Sequence, residues 1–142
     1  SASDLSALAV HAASDQAPIF ACALPGCSYF LSIPYAPVRS LLDANVPVAL
    51  ATDFNPGSAP SGNMSRVVQM GMVKMKMQPL EAIAAATING AAAMGVSDAA
   101  GSIAPGRSAN LILTNPMSGL ETLGYAFGEE PVEKVFIDGV QQ

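Results

Sequence analysis

Residues 46–51, VPVALA, form an apolar run with no polar face, and Thr52 and Asp53 come directly after it. A strand of that kind is buried on both sides. That happens in parallel sheets whose two faces are covered by helices, not in half-solvated antiparallel ones. A second short apolar run, APIFACAL at 17–24, precedes it. Between them, residues 36–45 (APVRSLLDAN) have helical spacing, with Pro37 near the first turn and Asn45 near the end. The order strand, helix, strand predicts βα units of a parallel α/β sheet. The two strands are expected to be neighbours joined by a right-handed crossover.

The rest of the chain extends this pattern and then leaves it. Residues 4–13 (DLSALAVHAA) repeat apolar positions at helical spacing. PGCSYF, 25–30, is expected to be a loop of turn residues and aromatics. A helix is predicted over 64–77 and another from Pro79, with Glu81 in its first turn, a break near Asn89-Gly90 and Gly95 as a cap. After Gly101 the character changes to turn residues and short strands. VEKVFIDGVQQ, 132–142, reads as a hairpin turning on Asp138-Gly139. Residues 1–100 are therefore assigned to the α/β part and 101–142 to a separate β layer.

Charge is scarce for such a chain. Only 12% of the 142 residues are charged while 51% are hydrophobic, and a typical soluble domain carries about 25% charged residues. No stretch approaches the roughly 18 apolar residues of a membrane span. A surface so poor in charge is instead expected to be covered by other protein, either a partner subunit or the rest of a longer polypeptide. The net charge of −5 is modest and the basic residues are scattered, which argues against a nucleic-acid partner. Cys22 and Cys27 lack C-x-x-C spacing and read as reduced cytoplasmic thiols in packing roles. The chain opens without a Met or a basic n-region and is expected to be a cut piece.

Asp53 stands at the carboxyl end of a buried strand, where parallel α/β folds place their ligands. Its carboxylate could hold a metal or act as a base. It could equally bond backbone amides in the next turn, as Asx residues do. Asn55 and Ser58 offer donors that a carboxylate could use. Pro56 stiffens the loop, and Gly57 admits close backbone approach or a positive φ.

These stretches resemble a known family. VPVALATDFNPGSAPSGNM, PGCSYFLSIPYAPVR, EAIAAATINGAAAMG and GSIAPGRSANLIL are similar to the C-terminal portion of the imidazolonepropionases, in the amidohydrolase superfamily. T-D-F-N-P-G is the specific element, and Asn110 is a further match. The resemblance implies the C-terminal part of a TIM-like (β/α)8 barrel plus the last strands of a small β-sandwich. It implies hydrolysis of 4-imidazolone-5-propanoate to N-formimidoyl-L-glutamate in histidine degradation, in the cytoplasm. It also implies one Zn²⁺ or Fe ion that activates the attacking water. Asp53 matches the metal ligand that takes the water's proton. Asn55, Gly57 and Ser58 match positions that contact substrate or product.

Departures from the family pattern limit what the chain does alone. The H-x-H pair and a further His of the family are not present, Asp4 stands where another His is expected, and His11 falls on a helix. A catalytic Zn²⁺ needs about three protein ligands plus water. The chain alone is therefore expected to be inactive, and to complete itself with the remainder of the polypeptide or by forming a homo-oligomer. Two alternatives stand beside this reading: another cyclic amidohydrolase or deaminase of the superfamily, and a non-catalytic fragment that folds by self-association. An H-x-H region in frame upstream would favour the enzyme, and a stop codon the fragment. Met70, Met72, Met75 and Met77 are expected to fill core and helix contacts, Arg39 to pair with an acid, and the acids of GEEPVEK to be solvated; Tyr29, Phe30 and Tyr35 resemble a loop near the family's active-site mouth, and packing beneath a loop is the alternative for them.

Overall fold

The computed structural model describes residues 2–14 and 18–142. Helix α1 (Ala2–Ala12) carries Asp4 in its first turn and His11 in its last. Strand β1 (Ala21–Ala23) comes next. The start of the predicted strand, at Ala17, lies outside the described residues. Strand β2 (Val48–Leu50) is buried at every position. The two strands pair in parallel, Ala21 opposite Val48 and Ala23 opposite Leu50. Helix α3 (Val38–Asp43) lies between them in the chain. It ends at Ala44, and the left-handed Asn45 (φ 57°) turns the chain back toward β2. This is the βα pattern that the apolar runs predict.

PGCSYF is not a loop. It forms helix α2 (Pro25–Phe30), with Pro25 at the start, where a missing N–H costs nothing. Turn residues are a poor guide at this point, because the fixed φ of Pro25 suits a first helical turn. Cys22 also departs from its packing assignment. It is exposed on β1, while Ala23 beside it is buried.

Helix α4 (Met64–Met75) is capped by Asn63, whose Oδ1 accepts from the Arg66 N–H at 2.9 Å. It stops at Lys76, in the left-handed conformation (φ 58°). Met75 and Met77 enter the core with Val38, Val46, Val48 and Leu50. Helix α5 (Pro79–Ala86) starts with the Glu81 carboxylate accepting from the Gln78 N–H at 2.7 Å. Glu81 also receives both terminal nitrogens of Arg39, at 2.8 and 3.1 Å, which ties α3 to α5. Principally through those Arg39 bonds, the Glu81 carboxyl is held below its ordinary range. The predicted break comes slightly early, at Thr87, and α6 (Ile88–Ala93) begins there. Asn89 then donates to the Val48 carbonyl at 2.8 Å, fastening α6 to β2. Gly95 closes the run at positive φ (71°).

The last part of the chain builds an antiparallel sheet in the order β3-β4-β5: β3 (Leu111–Thr114), β4 (Val132–Ile137) and β5 (Val140–Gln141). Asp138 and Gly139 both have positive φ (49° and 80°). That is the two-residue turn the sequence predicts, in the type I′ sense. Asn110 Oδ1 accepts from the Asp138 N–H at 2.9 Å and pins the turn to the start of β3. A short helix, α7 (Thr122–Tyr125), and the loop after it pack on α4. Gln69, buried on α4, donates to the Glu129 carbonyl at 3.0 Å and accepts from the Gly128 N–H at 3.2 Å. Glu130 is not simply solvated. Its carboxylate accepts from Asn63 Nδ2 at 2.9 Å and Ser65 Oγ at 2.8 Å, at the start of α4.

Candidate functional site

Beyond β2, Ala51 and Thr52 carry the chain to Asp53, which has a left-handed backbone (φ 53°). An L-residue there costs roughly 1–2 kcal/mol, least for Asp and Asn, whose side chains bond locally. The positive φ that Gly57 was free to adopt is thus taken by Asp53. Gly57 is absent from the described residues with left-handed backbone.

Asn55 organises the loop after Asp53. Its Oδ1 accepts from the Gly57 N–H at 2.9 Å and the Ser58 N–H at 2.8 Å. Its Nδ2 donates to the Asp53 carbonyl at 2.5 Å and to Ser58 Oγ at 2.8 Å. The Asn55 N–H reaches the Ala59 carbonyl at 3.1 Å and closes the loop at its base. Ser58 Oγ lies 3.1 Å from both Asp53 Oδ2 and Asn55 Oδ1. A hydroxyl has one proton. Asn55 Oδ1 already has two backbone donors, so the Ser58 proton goes to Asp53.

The loop therefore gathers all four candidate residues, Asp53, Asn55, Gly57 and Ser58, into one hydrogen-bonded unit. The turn-bonding duty that Asp53 could have had falls to Asn55. The Asp53 carboxylate makes no bond to a backbone amide of the turn. Its Oδ2 is steadied by Ser58, and its Oδ1 takes no hydrogen bond among the described residues. A carboxylate held at one oxygen and open at the other suits a metal ligand or a proton acceptor.

One ligand does not make a metal centre. Among the described residues no three His, Cys, Asp or Glu side chains come together, whereas a catalytic Zn²⁺ takes about three. Asp53 fits a single ligand position, and the other ligands are not supplied by the described residues.

Helix α2 borders the loop: the Gly26 backbone faces the Thr52 carbonyl. Tyr29 and Phe30 do not pack beneath a loop, the alternative to the site-mouth reading, but are exposed on α2. With Pro60, Ser61, Arg66 and Met70 they line an open cavity of about 350 Å³. Tyr35 packs partly against the core, and burial raises its phenol pKa.

A profile of the amidohydrolase family matches residues 11–141. The chain is 62% identical over 117 residues to the imidazolonepropionase of Flavobacterium johnsoniae, covering 82% of this chain and 28% of that protein. It is 43% identical over 116 residues to the imidazolonepropionase of Geobacillus thermodenitrificans, covering 82% and 27%. The chain thus spans little more than a quarter of these curated relatives. A match of that extent necessarily includes residues 53–58. Among solved structures, an adenosine deaminase from Xanthomonas campestris with bound zinc superposes with a TM-score of 0.81 at 24% identity, over 99% of this chain and 34% of that one. E. coli guanine deaminase gives 0.73 at 16% identity, over 99% and 36%. At these identities the likeness is one of fold. The parallel strands and their helices are part of an amidohydrolase barrel.

Proposed function

The chain belongs to the amidohydrolase family, and from that premise we propose that it is the C-terminal part of an imidazolonepropionase. The intact enzyme would hydrolyse 4-imidazolone-5-propanoate to N-formimidoyl-L-glutamate in histidine degradation, in the cytoplasm. Residues 101–142 would be the last strands of its β-sandwich. The observation that carries this reading is the 62% identity to an imidazolonepropionase over a span that includes the Asp53 loop.

In this proposal Asp53 is a ligand of a Zn²⁺ or iron ion whose remaining ligands lie outside this chain. The chemistry such an ion supplies when bound is a water activated for attack near neutral pH. Asp53 would hold such an ion and would take up a proton on its carboxylate, which Ser58 holds from the Oδ2 side. The N–H of Gly57 is committed to Asn55, so what Gly57 offers a ligand is an approach unhindered by a side chain. Ser58 Oγ retains a lone pair that can face substrate.

The test uses the intact polypeptide loaded with Zn²⁺ or Fe²⁺. Loss of imidazolone absorbance, with formation of N-formimidoyl-L-glutamate, is expected. Guanine and adenosine serve as comparators. Turnover of either comparator without turnover of the imidazolone would replace the proposal with a deaminase.

A further inference from the structure

We propose that Glu130 is a positioning residue for the loop that carries Asp53: through Asn63, it makes the C-terminal β layer hold the loop's outgoing limb. The inference deepens the proposed reading and rests on that loop being part of the active site. The limb is short. Ala59 is buried and its carbonyl takes the Asn55 N–H, and only Pro60, Ser61 and Gly62 separate it from Asn63, the cap of α4. Asn63 is held by backbone and side chain together. Its N–H donates to Ser61 Oγ at 3.3 Å, its Oδ1 accepts from the Arg66 N–H at 2.9 Å, and its Nδ2 donates to Glu130 Oε2 at 2.9 Å. A backbone donor on one side and a carboxylate on the other leave this amide a single orientation. Glu130 is fixed from the β layer. Its Oε1 accepts from the Val132 N–H at 3.3 Å, and its carbonyl accepts from Asn115 Nδ2 at 3.2 Å. Buried Gln69 holds the carbonyl of Glu129 beside it. From Asn63 the constraint reaches the site by packing. Phe54 stands between Asp53 and Asn55 in the chain, and its ring lies against Gly62, where a Cβ would come within 3.6 Å of it. A limb released at Asn63 takes away the surface on which the neighbour of Asp53 rests.

Exchanging donor and acceptor across this contact tests it. Asn63→Asp keeps the α4 cap, since Asp caps as well as Asn, but sets a carboxylate against the Glu130 carboxylate and breaks the link. Adding Glu130→Gln restores it in reverse: the new Nε2 donates to Asp at 63, and Oε1 keeps its Ser65 and Val132 donors. Both variants of the intact enzyme are compared with wild type well below the melting temperature. The readouts are kcat/KM and the amide hydrogen exchange of residues 53–62. Asn63→Asp is expected to lower kcat/KM about tenfold, within the roughly 10²-fold that a 1 Å misplacement can cost, and to speed exchange across 53–62. The double variant should return both readouts to within about threefold of wild type, the coupling that a double-mutant cycle detects. A merely structural contact would lower the melting temperature and leave both readouts unchanged, which would overturn the proposal. A double variant that restores nothing would overturn it too, because the loss would then belong to Asn63 alone. If Asn63→Asp does not fold, Glu130→Ala carries the test, with the same losses expected and unchanged values overturning the proposal. Exchange is read without substrate, so its outcome stands even if the intact enzyme proves to act on a different ring.

Discussion

At Asp53 the side chain and the backbone make separate demands, and one substitution can isolate the first. Asn tolerates left-handed φ nearly as well as Asp and can still accept from Ser58. Asp53→Asn should therefore keep the loop while removing the anionic ligand and proton acceptor. Turnover of the intact enzyme should fall by at least ~10²-fold, the ordinary share of general acid/base catalysis alone. Circular dichroism should be unchanged, and near-normal turnover with normal metal content would show that the carboxylate has no such role. The residue types at this loop were legible in the sequence, and so was the reason to suspect them, since an acid after a fully apolar strand needs explaining. The division of labour was not. Asp53 and Asn55 are both Asx residues in a Pro-Gly-Ser turn, and propensity does not say which one bonds the turn amides. The structure gives that role to Asn55 because its Oδ1 faces the Gly57 and Ser58 N–H groups.

Between elements, two contacts set how the parts hold together. Gly101 has φ +91°, and a Cβ there would lie 2.6 Å from Ala91 Cβ and 3.0 Å from the Thr87 carbonyl, at the α5–α6 break. Gly106 has φ +85° with nothing within 4 Å. Gly101→Ala combines backbone strain with overpacking and should cost roughly 2–4 kcal/mol. Gly106→Ala carries only the strain, about 1 kcal/mol. Urea denaturation of the two variants should differ accordingly, and equal midpoints would mean the close packing at Gly101 relaxes freely. The second contact is Glu130. The Asn63 bond chiefly, then Ser65, the Val132 N–H and nearby Arg66, hold its carboxyl below the ordinary range. A depressed folded pKa stabilises above the unfolded value of about 4.3, and that stability is lost as pH falls through the folded one. Glu130→Gln should therefore lower the melting temperature at pH 7, by a stability of about 1 kcal/mol or less because the site is exposed. That difference should vanish in a melt well below about pH 4; a gap that persists there would assign the effect to packing. Most helices were readable from spacing and from Pro and Gly signals. Helix α2 was not, because its Pro-Gly-Cys-Ser start reads as a turn until the chain around it is placed. Glu130 escaped for a related reason: its partners, Asn63 and Ser65, are far away in sequence.

For the whole molecule, the shortage of charge in the sequence reappears as exposed apolar surface. The β1–β2 pair is a two-stranded sheet, far short of the eight strands that close a barrel. Leu80, Ile112, Ile137 and Val140 are 68%, 59%, 51% and 64% exposed. Between α4, α5 and the β3–β4 face lies an apolar cleft of about 610 Å³, lined by Met64, Val68, Ile83, Leu111, Val135 and Phe136 among others. Among the described residues no helix is long and apolar enough to cross a membrane, so no membrane-spanning helix accounts for these faces. Pattern and composition reached this far, since a strand with two buried faces already requires neighbours on both. They could not say which helices would be left bare, because that depends on how α4 and α5 pack against the sheets. The prediction at this scale is association. Open strand edges pair with other chains, and contiguous apolar surface drives assembly. The isolated 142-residue chain should form oligomers or aggregate on concentration, and should turn over no imidazolone even with added Zn²⁺. Co-expression with the upstream part of the polypeptide should restore a soluble, defined species. Light scattering across a concentration series checks it. A monodisperse monomer at high concentration would mean that these exposed faces are covered in solution by a rearranged fold, and the barrel-fragment reading of the isolated chain would fail.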